Sequence, residues 1–257
     1  MLATLLLLAC STPAPLAETP AEAKTRSSTE TLEYAPGLSL DLSLPARAPA
    51  LYPLVVLFHG GGATRGSRLD SAITLPREDL IAAGFAVASV DYALCDGGDT
   101  TWEDQLASGQ AALDYLRDEA PGYHLDPDRV GLLGTSWGGW VASMLIEDAD
   151  ALVVWYGVTD LTGTFNGFRV RTQVMVFGHV PTAAEREEAS PAYAVLPATA
   201  ILFHGEEDTL VPASQSEETA AAWGAEYVPV AGASHAWAGV DSDAVVAETV
   251  DWFSANL

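Results

Sequence analysis

Ser136 stands between two glycines in Gly134-Thr135-Ser136-Trp137-Gly138, a G-x-S-x-G arrangement. A serine hydroxyl is a poor nucleophile until an imidazole takes its proton and a carboxylate fixes that imidazole's tautomer. In a chain with 22 glycines the pattern alone is weak; its setting strengthens it. The apolar run Val130-Gly131-Leu132-Leu133 ends at Gly134 and a helical pattern starts at Trp137. Such a strand-turn-helix junction lifts the central hydroxyl above the end of a sheet. A turn that sharp strains the serine backbone, so the residues two before and two after it must lack a Cβ. The following helix aims its free N–H groups and positive dipole end at negative charge developing over the hydroxyl. The blander reading is a tight turn with an idle serine.

Five histidines are available as the base. His235, in Gly232-Ala233-Ser234-His235-Ala236-Trp237, follows the last strand pattern, Glu226 to Val230, and precedes the last helix. A loop there reaches the carboxyl edge of an open α/β sheet, where such sheets hold their sites. His59 precedes three glycines and is expected to order that loop, His204 ends a strand, and His124 and His179 look peripheral. For the carboxylate, His204-Gly205-Glu206-Glu207-Asp208-Thr209-Leu210-Val211-Pro212 offers three acids. Asp208 is the choice, because its shorter side chain precedes an apolar pair and can turn inward, whereas Glu206 and Glu207 read as solvated charges. Three surface acids are the alternative.

Acyl chemistry also needs two backbone donors aimed at a tetrahedral oxyanion. Trp137 N–H would be one, and Gly61 or Gly62 N–H in His59-Gly60-Gly61-Gly62 the other, since glycine lets backbone approach a substrate closely. A phosphate loop is the competing reading, but neither G-x-x-x-x-G-K nor G-x-G-x-x-G spacing occurs. No metal-ligand cluster or cofactor motif is seen, so neither metal nor cofactor is expected.

These residues need a scaffold that brings them to one edge. Leu38, Leu40, Leu42 and Leu44 alternate, predicting a half-buried antiparallel strand. Runs at 54–58, 85–90, 130–133, 152–155 and 200–203 are apolar without alternation, as in parallel strands buried on both faces. Helical patterns lie between them, at 76–83, 102–119, 137–147, 213–223 and 243–255. Strand and helix alternate, which predicts a mostly parallel sheet with helices on both faces. The least regular stretch, about 157–196, is read as a cap insertion. Trp102, Trp137, Trp140, Trp155 and Trp237 could line a pocket, though core is the blander fate for at least half. Cys95 is expected to be a buried, inert thiol.

In this order the chain resembles the α/β-hydrolase superfamily, in its esterase/lipase group. The resemblance rests on HGGG at 59–62, Val90-Asp91-Tyr92, Asp126-Pro127-Asp128-Arg129-Val130, the serine motif, Ser190-Pro191-Ala192 and HGEEDTLVP at 204–212, over residues 32–257. The order Ser136, Asp208, His235 matches it. GTSWGG departs from the GDSAGG of the hormone-sensitive-lipase branch. The segment at 204–212 looks more like small carboxylesterases and the acetyl and feruloyl esterases of carbohydrate-degrading sets. Dienelactone hydrolases would carry cysteine where this chain has Ser136, and prolyl oligopeptidase relatives carry a propeller for which there is no room. The resemblance implies a serine carboxylesterase for short acyl esters. A small serine peptidase or amidase, and a non-catalytic lipid-anchored binding protein on the same fold, are the alternatives.

With 257 residues, 49% of them hydrophobic, the chain can bury a substantial core. Its 35 acidic residues face only 11 basic ones, a formal charge of −24 that repels phosphate backbones and argues against nucleic-acid partners. The expected partner is a small-molecule ester. Residues 1–31 read as a signal sequence and tether. Leu7-Leu8-Ala9-Cys10 resembles a bacterial lipoprotein signal, which would free Cys10 for lipidation and attach the protein to a membrane; an ordinary signal peptide with an incidental cysteine is the alternative. Both predict export.

Overall fold

The computed structural model describes residues 27–46, 51–194 and 199–257. The expected leader and its Cys10 lie outside them. Among the described residues no helix is long and apolar enough to cross a membrane.

Eight strands form one sheet: β1 (Ser28–Ala35), β2 (Leu38–Leu44), β3 (Tyr52–Phe58), β4 (Ala86–Val90), β5 (Leu125–Thr135), β6 (Ala151–Trp155), β7 (Thr199–Gly205) and β8 (Glu226–Val230). Their spatial order is β1-β2-β4-β3-β5-β6-β7-β8. The β1–β2 and β2–β4 pairs are antiparallel, and all the others are parallel. The order reverses between β3 and β5, which opens a crevice at their carboxyl ends. Both motifs singled out above, the glycine loop after β3 and the serine turn after β5, emerge there.

The helices are α1 (Ser71–Thr74), α2 (Arg77–Ala83), α3 (Trp102–Tyr123), α4 (Trp137–Met144), α5 (Val170–Phe177), α6 (Ala183–Glu188), α7 (Ser214–Trp223) and α8 (Asp243–Asn256). Successive residues of a strand face opposite sides, and β3 shows it. Leu54, Val56 and Phe58 pack with Leu113, Leu116 and Val141 of α3 and α4. Val55 and Leu57 join Ile73, Leu80 and Phe253 of α1, α2 and α8 in a second core. The central strands are apolar on both sides because helices cover both sides.

Four expectations needed revision. The tether was expected to run to 31, but β1 starts at Ser28, where a ladder with β2 pairs Ser28 to Leu44 and satisfies backbone groups without any apolar signal. Strand β2 was read as half-buried, yet Asp41 and Ser43 on its polar side are also buried. Arg68 Nε donates to Asp41 Oδ1 at 3.0 Å and Thr29 Oγ1 lies 2.8 Å from Ser43 Oγ, so paired polar groups cover that face. The helix expected at 137–147 stops at Met144, followed by a 3₁₀ turn over Ile146–Asp148, while the one expected to stop at 119 runs on to Tyr123 and closes with His124 in the left-handed region (φ 57°).

The irregular stretch from Gly157 leaves the end of β6 and carries α5, α6 and a 3₁₀ turn at Pro191–Tyr193 before β7. It is stitched to the loop after β7: Gly167 N–H donates to Leu210 O at 2.8 Å and Asn166 Nδ2 to Thr209 O at 2.7 Å.

Candidate active site

Ser136 sits at the turn with φ 52° and ψ −118°. Backbone held there costs about 1–3 kcal/mol for a residue with a Cβ. The surroundings enforce it: Ser136 N–H donates to Trp155 O at 2.9 Å, and Ser136 O accepts from Gly139 and Val158 N–H at 3.0 and 3.2 Å. A Cβ at position 134 would strike the backbone of Gly138, and one at 138 would strike the carbonyl oxygens of Phe58 and His59. The second glycine is thus required by the end of β3, a neighbour that the local turn argument does not include.

His235 reaches this serine from the other end of the chain. It opens a 3₁₀ turn, His235–Trp237, rather than lying on a plain loop, and Ala236 and Trp237 are left-handed at φ 57° and 61°. Its Nε2 is 3.0 Å from Ser136 Oγ and its Nδ1 is 2.6 Å from Asp208 Oδ2. A carboxylate can only accept, so Nδ1 carries the proton and the Nε2 lone pair faces the serine hydroxyl, which donates to it. The edge of Tyr156 packs on the imidazole, with ring centroids 4.8 Å apart.

The Asp208 side chain is fully buried. Burial pushes its pKa up, but hydrogen bonds from His204, His235 and Val211 N–H outweigh that and hold the carboxyl well below the usual carboxylate range. Leu210 and Val211 N–H both donate to Oδ1, at 2.8 and 3.0 Å. His204, fully buried, sits beside the same carboxylate. Its Nε2 is 3.0 Å from Val211 O and 3.3 Å from Asp208 Oδ2, and its Nδ1 is 2.7 Å from Ser216 Oγ. Carbonyl and carboxylate oxygens both need a proton on Nε2, so Ser216 donates to Nδ1. Glu206 and Glu207 are exposed.

The glycine loop passes beside the serine: a Cβ built on Gly60 would lie 3.1 Å from Ser136 Cβ. Gly61 and Gly62 have φ of 121° and 61°, conformations that glycine alone adopts freely. His59 orders the loop, its ring stacked on Tyr92 at 4.3 Å and its Nδ1 donating to Gly60 O at 2.7 Å, while Tyr92 Oη donates to His59 O at 2.6 Å. Burial lowers the His59 pKa against the opposing Gly60 hydrogen bond and the Asp70 and Asp91 charges.

Trp137 is the first residue of α4, so its backbone N–H belongs to the unpaired set at a helix start. Its indole is buried against Trp140 and Phe168, and Nε1 donates to Gln105 Oε1 at 2.8 Å. Gln105 Nε2 in turn donates to Ala63 O, the residue after the glycines, at 2.7 Å.

A cavity of about 410 Å³ opens over these groups, lined by Ser136, Trp137, His235, Tyr156 and the glycine loop, with Val158, Asn166 and Leu210 on its outer side. Asp208 stands behind His235, outside the lining. Of the other tryptophans, Trp102 and Trp140 pack in one core, Trp155 and Trp237 in the other, and none lines the cavity. Cys95 is buried away from it, and burial raises its thiol pKa to about 12.

Sequence reasoning missed Gln105, Tyr156 and His204's contact with Asp208. For Gln105 a signal existed: it falls on the buried stripe of α3 with Gly109, Ala112 and Leu116, a polar residue on an apolar face. Tyr156 is one residue past the end of β6, a position from which parallel sheets aim side chains into their crevice.

The BD-FAE family model matches residues 40–222. Among curated proteins, esterase LipQ of Mycobacterium tuberculosis is 26% identical over 222 residues, covering 76% of this chain and 52% of LipQ. Non-reducing polyketide synthase pkbA of Emericella nidulans is 32% identical over 124 residues, covering 42% of this chain and 5% of the synthase. The chain thus spans about half the length, or far less, of these curated relatives. Among solved structures, a truncated carbohydrate esterase from gut microbiota superposes with a TM-score of 0.78 at 21% identity, covering 93% of this chain and 99% of that one, which shows a shared fold.

Proposed function

The chain belongs to the BD-FAE family, an α/β-hydrolase esterase family, and from that premise we propose that it is a serine carboxylesterase acting on short acyl esters, with acetyl or feruloyl esters of carbohydrates as its substrate class. The observation that carries the reading is the continuous bonded line Ser136 Oγ, His235 Nε2, His235 Nδ1, Asp208 Oδ2, with spacings of 3.0 and 2.6 Å. In the proposed sequence Ser136 Oγ attacks the ester carbonyl carbon while His235 Nε2 takes its proton. The carbonyl oxygen becomes an oxyanion facing Trp137 N–H and Gly61 or Gly62 N–H. The tetrahedral intermediate collapses, the C–O bond to the alcohol breaks, and His235 returns the proton to the leaving alkoxide. Water then repeats the attack on the acyl-serine, again deprotonated by His235, and releases the acid. Asp208 keeps the imidazole oriented and balances its transient positive charge.

The cavity volume suits a small acyl group with part of its alcohol. The carbohydrate half of the proposal is supported by two structural neighbours, the gut carbohydrate esterase and a bifunctional GH43-CE protein of Bacteroides eggerthii. The N-terminal run ending at Cys10 extends the proposal to an exported, membrane-tethered enzyme, which radiolabelled fatty acid incorporation lost in Cys10→Ser would support.

The deciding experiment is labelling with a fluorophosphonate, alongside p-nitrophenyl ester turnover. Wild type should label and turn over acetyl and butyryl esters, whereas Ser136→Ala should do neither, with a loss on the order of 10⁶ in kcat. Equal labelling of both proteins would overturn the assignment. Turnover of p-nitroanilides above that of matched esters would move the reading to an amidase.

A further inference from the structure

We propose that Gln105 is a positioning residue that sets the spacing of the oxyanion hole, tying its two halves together from beneath. This rests on the esterase reading above. The two expected donors come from different parts of the chain: Trp137 N–H from the start of α4, and Gly61 or Gly62 N–H from the loop after β3. The 2.8 Å bond from Trp137 Nε1 and the 2.7 Å bond to Ala63 O make Gln105 a single rigid side chain between them.

The chemistry of the three groups singles out an amide. The indole Nε1 can only donate and the Ala63 carbonyl can only accept, so the residue between must accept at one end and donate at the other. An ionised glutamate would turn an acceptor oxygen toward Ala63 O, and methionine would satisfy neither neighbour. Gln105 is fully buried, where an unsatisfied partner costs about 1–3 kcal/mol, so its orientation is strongly enforced. The bridge is held at both ends. Trp137 is stacked between Trp140 and Phe168, at centroid distances of 4.9 and 6.1 Å. Ala63 sits at a left-handed φ of 69° and its carbonyl also accepts Cys95 N–H at 2.9 Å. Gln105 itself lies in the first turn of α3, where Thr101 and Asp104 form a capping box. A shift of Gln105 would therefore move the glycine loop relative to Trp137, and so alter the distance between donors while leaving Ser136, His235 and Asp208 in place.

The test compares Gln105→Met, Gln105→Glu and Trp137→Phe in the full chain, each normalised by fluorophosphonate active-site titration and assayed where its near-ultraviolet circular dichroism matches wild type. For p-nitrophenyl acetate, Gln105→Met should lose about 10- to 100-fold in kcat with KM within about 2-fold, as expected when transition-state rather than ground-state contacts suffer. Gln105→Glu should lose at least as much. Trp137→Phe removes the indole N–H together with the pyrrole ring, leaving an aromatic face for Trp140 and Phe168, and should lose about 3- to 10-fold, less than additively with Gln105→Met. Affinity for a trifluoromethyl ketone, whose adduct carries the oxyanion, should fall in step with kcat, while affinity for the product acid stays level. Unchanged kcat per titrated site in both Gln105 variants would overturn the proposal, as would a loss confined to the titratable fraction. If a Gln105 variant fails to fold, Trp137→Phe carries the same test. A wild type that does not label would instead overturn the esterase reading.

Discussion

The carboxyl edge of the sheet has two sides built on different principles. The proposed reacting side, Ser136 with His235 and Asp208, is set by main chain: a left-handed serine held by Trp155 O, two glycines with no space for a Cβ, and a carboxylate gripped by two backbone N–H groups. The enclosing side, the loop after Gly62 and the stretch from Gly157, is set largely by side chains. Arg68 is clamped between Asp41 at 3.0 Å and Asp91 at 2.7 Å. Gln215 Oε1 accepts Thr159 and Asp160 N–H at 2.9 and 2.8 Å, and Asn166 hooks the insertion to Thr209. Bonds made by main chain survive most substitutions, whereas bonds made by one side chain vanish with it. The reacting side should accordingly fail all at once when its few key atoms change, and the enclosing side should be adjustable one residue at a time, with effects on which substrate enters.

The sharpest way to break that contrast is Asp208→Asn, which keeps shape but removes the charge and the acceptor opposite Nδ1–H. The expected loss in kcat is on the order of 10⁴, because the wrong imidazole tautomer then faces Ser136. Stopped-assay kinetics on p-nitrophenyl acetate measure it, and a loss below tenfold would mean that Asp208 does not orient His235. The same variant reports on stability. Asp208's folded pKa lies below its unfolded value of about 3.9, so its contribution is complete above roughly pH 5 and fades as pH falls through the folded value. Below the histidine range, urea midpoints of wild type and Asp208→Asn should converge as pH falls from about 5. A gap that widens over that interval would contradict the direction of the shift.

Next in size is Gly138→Ala. The added methyl meets the carbonyls of Phe58 and His59, and backbone cannot yield as a side-chain tip can. Overpacking of this kind costs about 1–3 kcal/mol or more, which at this chain length lowers Tm by about 2–4 °C per kcal/mol. Thermal denaturation with parallel active-site titration checks it, and an unchanged Tm with full titration would show that the β3 end is softer than its packing indicates.

How far the sequence reaches follows the same division. The meeting of Ser136, Asp208 and His235 was legible because strand ends, glycine spacing and chain order leave local marks. The parallel sheet was legible for a similar reason, since strands covered on both faces lose alternation. A polar residue on the apolar stripe of α3 marks Gln105 as unusual, but its role and that of Arg68 were missed, because their partners lie 23 to 42 positions away and no local pattern connects them. Strand β1 was passed over in part because its exposed face carries Ser, Thr and Glu, the composition also expected of a tether. The paired polar cover over β2 hid likewise behind an alternation that normally signals water on one side.

The enclosing side gives the smallest effect and the most informative one about substrate. Asn166 lines the cavity, donates to Thr209 O and accepts from Arg169 Nη2 at 2.7 Å. It is exposed, so truncating it removes bonds each worth about 0.5–1.5 kcal/mol without leaving a buried orphan. Gly167 N–H to Leu210 O still holds the insertion in Asn166→Ala, so the loop should loosen rather than detach. The expected outcome is unchanged kcat for p-nitrophenyl acetate, whose alcohol half is small. For an ester with a sugar-sized alcohol, KM should rise about 2- to 5-fold, the scale of one such bond. A matched pair of esters with the same acyl group measures this directly. If kcat for the small ester fell as well, the insertion would be acting through the Asp208 loop on the reacting groups, and the two sides of the crevice would be one mechanical unit.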